Sequence, residues 1–139
     1  MTNSSIKVIF LTSQSPQEKI KKLIQTVLQH YIEKKYLYIF TENKTVTAYV
    51  DNLLWHHPKE GFIPHSCHLD PLHWIVINSS KEFPENTFSF FNLTSSALSC
   101  VPSTCKIFEF DESSAKNKKE IFEKKYKFYQ ECGYHLISL

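Results

Sequence analysis

The run IKVIFL (Ile6 to Leu11), followed at once by TSQSPQEK, constrains this chain more than any other stretch. Six residues rich in β-branched and apolar side chains predict a buried strand, and a full set of helix-start signals comes directly after it. Ser15 stands at the N-cap position, Pro16 at the first helical position, and Glu18, three residues after Ser15, completes an S-x-x-E capping box. Ile20, Leu23, Ile24, Val27, Leu28, Tyr31 and Ile32 then recur at the spacing of one helix face. YLYIF (Tyr36 to Phe40) predicts a second strand, and Val46, Tyr49, Val50, Leu53 and Leu54 mark a second amphipathic helix, capped near Thr41 to Asn43. WIVIN (Trp74 to Asn78), FSFFNL (Phe88 to Leu93) and CKIFEF (Cys105 to Phe110) predict strands three to five. A last long helix is expected from about Ser114 to Cys132, with Gly133 as its C′ residue. Strands that alternate with helices at both ends of the chain predict an α/β domain around a mainly parallel, about five-stranded sheet.

The 139 residues are expected to form one domain, residues 1–139, and the length suffices for a core without metal or disulfide staples. A doubly wound, Rossmann-like sheet raises the prospect of nucleotide binding, which needs a glycine-rich turn so that backbone N–H groups can approach phosphates. The chain has only two glycines, Gly61 and Gly133, so neither G-x-x-x-x-G-K-[ST] nor G-x-G-x-x-G can be built. The fold class is therefore Rossmann-like with no nucleotide-binding loop. The G-x-S-x-G nucleophile elbow is missing too. All 16 basic residues are lysines, and the net charge is only +2. Without arginine, the usual bidentate reader of phosphate and guanine, sequence-specific DNA binding is not expected. Cys67, Cys100, Cys105 and Cys132 include no C-x-x-C pair, and neither a secretory leader nor a membrane span is apparent. A cytoplasmic protein with reduced thiols is expected.

DNLLWHHPKEGFIPHSCHLDPLHW (Asp51 to Trp74) holds five of the seven histidines, His56, His57, His65, His68 and His73, together with Cys67. Zinc accepts imidazole and thiolate, yet H-x-C-H is not a usual zinc spacing, and adjacent histidines on a helix point about 100° apart. A metal-binding module or metal-dependent hydrolase using His65, Cys67, His68 and His73, within the His56–His73 region, is the competing function. A Cys/His nucleophile at Cys67 lacks an orienting group. Trp55 and Phe62 are open to two readings, as core residues closing the second helix or as anchors of an exposed aromatic patch.

The last helix places Ile121, Phe122, Phe128, Tyr129 and Cys132 in one arc of about 120° that should face the sheet. Lys125 falls inside that arc, so its ammonium must reach a rim or a partner, because a buried unpaired charge is costly. Tyr126 sits at the border of the arc, with Lys116, Lys119 and Lys127 on the exposed side beside it. Such a helix is either an ordinary solvated face or a small basic and aromatic site for an acidic peptide.

VDNLLWHHPKEGFIPH (Val50 to His65) and IFEFDE with KYKFYQECGYHL carry a family likeness. They are similar to the L-D-x-x-L-W…F-x-P-H block, the hydrophobic-acidic strand end and the closing Y-K-x-Y…G-[FY]-x-L helix of the chi subunit of the bacterial DNA polymerase III holoenzyme. The resemblance covers nearly the whole chain, with little support from Cys67 to Thr104 beyond strand order. It implies a three-layer α/β/α sandwich, no catalytic residues, no cofactor and no metal. It also implies a replication adaptor of the clamp-loader complex, touching DNA only indirectly and no membrane. Such proteins join the acidic C-terminal tail of single-stranded-DNA-binding protein to the psi subunit. Carried residue by residue, Trp55, Phe62, Pro64 and His65 fall at the psi interface, and Lys124, Lys125, Tyr126 and Lys127 at the tail site. Glu123 stands where the family often has an arginine that grips the tail carboxylate, which implies weaker or differently arranged tail binding.

Overall fold

The computed structural model describes residues 3–56, 63–69 and 72–139. Their order is β1 (Asn3–Leu11), α1 (Pro16–Glu33), β2 (Leu37–Phe40), α2 (Lys44–His56), β3 (Ile75–Asn78), β4 (Ser89–Asn92), β5 (Cys105–Phe110), α3 (Lys119–Glu131) and β6 (Tyr134–Ser138). The strands form one sheet in the order β3-β2-β4-β5-β1-β6, and every neighbouring pair is parallel.

The helix ends follow from local chemistry. Ser15 Oγ accepts the Glu18 N–H at 3.1 Å, and the Glu18 carboxylate reaches back to accept the Gln14 N–H at 3.0 Å. The capping box is thus closed, one residue further upstream than its usual form. Ser15→Ala is expected to lower stability by about 1 kcal/mol in chemical denaturation; a loss within error would mean that solvent satisfies the helix start equally well. Asn43 is the cap of α2, its Oδ1 accepting the Val46 N–H at 3.0 Å. Gly133, at φ 76°, provides the left-handed residue just beyond α3.

The layers follow from the strand order. Connections running toward the β3 edge, through α1 and α2, cover one face. Those running toward the β6 edge, through residues 79–88, residues 93–104 and α3, cover the other, as a single crossover hand requires. Alternation along the strands feeds both cores. Leu37, Ile39, Ile75, Ile77 and Phe91 pack under α1 and α2 with Leu23, Val27 and Leu54. Val8, Phe10, Tyr38, Val76, Phe90 and Ile107 face the other way, toward Tyr129 of α3 and Leu98. This is an α/β/α arrangement, with the third layer part helix and part loop.

The mainly parallel α/β sheet is the one expected, and two details differ. The sheet has six strands rather than about five: YHLIS forms β6 beside β1, and Leu139 donates to the Phe10 carbonyl at 2.9 Å just past its end. The last helix begins at Lys119, not near Ser114. The Asp111 side chain takes the Ser113 N–H at 2.9 Å, and successive turns bonded through Glu112 and Ala115 occupy the intervening residues. Among the described residues, no helix is long and apolar enough to cross a membrane.

Candidate functional site

The carboxyl ends of β4 and β5 meet the N-terminal ends of α1, α2 and α3. β5 sends its chain onto one face of the sheet and its neighbour β1 onto the other, the switch point at which parallel α/β folds open a crevice. Here the crevice has a volume of about 450 Å³. Beneath it lies a polar cluster centred on Glu109, which is only 1% exposed. Tyr129 donates its hydroxyl to Glu109 Oε2 at 2.6 Å, Asn92 Nδ2 donates to the same oxygen at 2.7 Å, and Lys125 Nζ donates to Oε1 at 3.0 Å. The Tyr129 hydroxyl also accepts the Leu98 N–H at 3.0 Å, tying the 93–104 segment to α3. Burial pushes the Glu109 carboxyl above its ordinary value, while Lys125 and the hydrogen bonds pull against it. The Tyr129 phenol is pushed up strongly by burial and by the neighbouring carboxylate. The cluster has no solvent-facing nucleophile; it fastens α3 to the sheet.

The need for a partner at Lys125 is thereby met. Its side chain is 12% exposed, and the ammonium turns into the crevice toward Glu109 rather than outward. Tyr126 is 37% exposed, backed by Phe10 at 5.4 Å and Phe122 at 6.0 Å between ring centroids. Lys124 and Lys127 are well exposed, each near a glutamate one turn away, Glu120 at 3.6 Å and Glu131 at 4.0 Å. The four residues do not form one patch. At about 100° per residue, Lys124 points about 160° away from Tyr126, whereas Lys119 lies two turns before Tyr126 on the same stripe, with Glu123 and Lys127 beside it. Lys119 is 4.0 Å from Glu123. The lysine count of α3 marked the region, and helical phase alone could have chosen Lys119 over Lys124.

At the far end of α2, Trp55 is 51% exposed, which decides between its two readings in favour of the surface. Phe62 and His57 lie outside the described residues. Pro64 is half-buried, and the His65 side chain is buried. His65 has a role that its sequence pattern did not reveal. Its Nε2 meets Asp51 Oδ1 at 2.6 Å, its Nδ1 meets the Ile63 carbonyl at 2.6 Å, and its ring lies edge-on to Trp55 at 5.6 Å. The aspartate of VDNLLW and the histidine of FIPH therefore join directly and dock residues 63–67 on α2. Ser66 extends that docking to the sheet, bridging to Val76 through the Ser66 N–H to Ile75 and the Ile77 N–H to Ser66.

Both ring nitrogens of His65 are thus engaged with oxygens. Among the described residues, no three His, Cys, Asp or Glu side chains converge to hold a metal ion. Burial and the Asp51 carboxylate push the Cys67 thiol up to about 11, which holds it in its protonated, unreactive form.

The fold and site define a class: a parallel, Rossmann-like α/β/α sandwich whose β1 turn has no phosphate loop and whose exposed features are an aromatic helix end and a lysine-bearing helix. The family model of the DNA polymerase III chi subunit, HolC, matches residues 4–137, and the chain belongs to that family, an accessory subunit in DNA replication. No curated protein matches the chain.

Proposed function

We propose that the protein is a non-catalytic adaptor of the DNA polymerase III holoenzyme. In this reading it holds the acidic C-terminal tail of single-stranded-DNA-binding protein on α3, and the psi subunit of the clamp loader through the residues that the family resemblance carries over, Trp55, Phe62, Pro64 and His65. The observation that carries the tail assignment is the stripe on α3. Tyr126 is a half-exposed aromatic held from behind by Phe10 and Phe122, with Lys119 and Lys127 on the same outward side. Such a stripe offers an apolar wall for a peptide's terminal side chain and ammoniums for its carboxylates. Lys124 contributes to the field of the helix from its other side. Lys125 acts through Glu109 by holding α3 in place. At the other site, the Asp51–His65 link fixes the segment that carries Pro64 and sets the His65 ring edge-on to Trp55, which suits a preformed aromatic anchor.

The test is an NMR titration with a peptide that has an acidic stretch and a C-terminal Pro-Phe carboxylate. The signals of Tyr126, Lys127 and Lys119 should shift, and affinity should fall as salt rises, because the charges lie at the surface. Tyr126→Ala should weaken binding about tenfold, in the range of a buried aromatic anchor. Glu123→Arg should tighten it about fivefold by freeing Lys119 and adding a bidentate donor. A peptide that perturbs no residue of α3 would end the assignment.

A further inference from the structure

We propose that the switch-point crevice between α1, α2 and α3 is a second ligand site, on the flank of α3 adjoining the stripe of Tyr126, with Phe122 between the two, and that it takes a small organic acid, one carboxylate on an aromatic or branched aliphatic body. The volume, about 450 Å³, lies in the range of small-molecule sites. The walls are largely apolar, with Ile20, Tyr49, Leu93, Phe110 and Phe122 among them. The charges are few and partly withdrawn from solvent: Lys19, Lys118 and Lys125 against Glu109 and Glu112, three ammoniums to two carboxylates. Lys125 is committed to Glu109, while Lys19 and Lys118 share the single Glu112, Lys118 from 3.9 Å. One positive charge is therefore left without a carboxylate of its own at the mouth of an apolar cavity. An apolar acid completes both features at once.

The start of α3 points the same way. It has no side-chain cap at Lys118; the Lys118 and Lys119 N–H groups bond the Ala115 carbonyl at 3.2 and 2.9 Å, and Ile121 of the same turn lines the crevice, which sets the positive end of the helix beside it. A carboxylate there would meet Lys118 and the first turn of α3 together, with its body against Phe110 and Phe122.

The acid could be a free metabolite or the C-terminal residue of a chain, and two probes separate these sources. N-acetyl-L-phenylalanine mimics a chain end, 3-phenylpropionate lacks the amide, and N-acetyl-L-phenylalaninamide lacks the charge. Saturable NMR shifts are expected at Leu93 to Ser95, Glu112 and Ile121 with at least one acid. Binding of the amide should be about tenfold weaker, the loss expected when a charge-assisted hydrogen bond goes. Lys118→Ala, an exposed and structurally safe change, should weaken the acid about threefold. Tighter binding of the acetylated amino acid identifies a chain end, and equal or tighter binding of phenylpropionate a free acid. No saturable shift, an amide that binds equally well, or shifts confined to the Tyr126 side of α3 would overturn the proposal. The peptide titration is read at Tyr126, Lys127 and Lys119, so either assignment can fail without the other.

Discussion

Replacing Lys125 with methionine is expected to lower the unfolding free energy by about 3–5 kcal/mol at pH 7, and adding Glu109→Gln in the same chain to restore most of that loss. Methionine keeps the length of the stem that packs on the sheet, so the change removes the ammonium and little else. What remains is a carboxylate 1% exposed, with Tyr129 and Asn92 still donating but its cationic partner gone. The pH dependence separates this cause from lost packing. The Glu109 carboxyl is raised on folding, chiefly by burial, from its ordinary value of 4.5. A group raised in this way contributes stability in full below its unfolded value and loses it as pH rises through the folded one. Without Lys125 the folded value climbs further. The deficit of the single variant should therefore be greatest near neutrality and shrink as pH falls toward 4.5, while the double variant shows little such trend. Urea denaturation of the parent, the single variant and the double variant at pH 7 and pH 5 measures it. An equal deficit at both values, or no rescue by glutamine, would mean that the pair does not set the position of α3.

His65→Ala should cost about 2–4 kcal/mol, since it deletes a buried ring and two hydrogen bonds together. Asp51→Asn, which keeps an acceptor oxygen but removes the charge, should cost about 1 kcal/mol. The more telling readout is local. The Ser66 and Ile77 amides hold the 63–67 segment on β3, and their hydrogen exchange should accelerate in His65→Ala far more than that of Ile107 in the sheet interior. If both amides stay as protected as in the parent, the segment is held by Ile63 packing rather than by the histidine.

The first half of the fold could be read from the chain because its signals are local. Ser15, Glu18 and Asn43 announce helix starts within a few residues of themselves, and the periodicity of α1 and α2 needs no knowledge of what they cover. The missed features all depend on partners remote in sequence. β6 is a five-residue edge strand whose meaning comes from β1, more than 120 residues earlier. The docking role of His65 was hidden because its partner Asp51 lies 14 positions away across the end of a helix. Lys125 is intermediate: helical phase placed it on the buried side and demanded a partner, but Glu109 could be named only once β5 lay beneath α3. The phase of α3 was also off by a fraction of a turn. Ile121 and Phe128, expected to face the sheet, are 40% and 36% exposed, because the helix is centred on Tyr129 by its bond to Glu109. The resemblance supplied the adaptor reading and its candidate residues; helical geometry then drew Lys124 and Tyr126 apart.

The position of β1 bears on how the chain reaches this state during synthesis. β1 is made early, yet its two neighbours in the sheet, β5 and β6, both come after residue 104. While the ribosome is still adding the middle of the chain, β2 and β3 can pair around α2, but β1 waits with both of its hydrogen-bonding edges open. Its pairings are among the most distant the sequence allows, so closing them sets a slow last step. During that interval IKVIFL is an apolar strand with two free edges, the kind of segment that nascent chains must keep from wrong partners. The sheet is thus closed only when YHLIS slides in beside the strand that was made first and paired last.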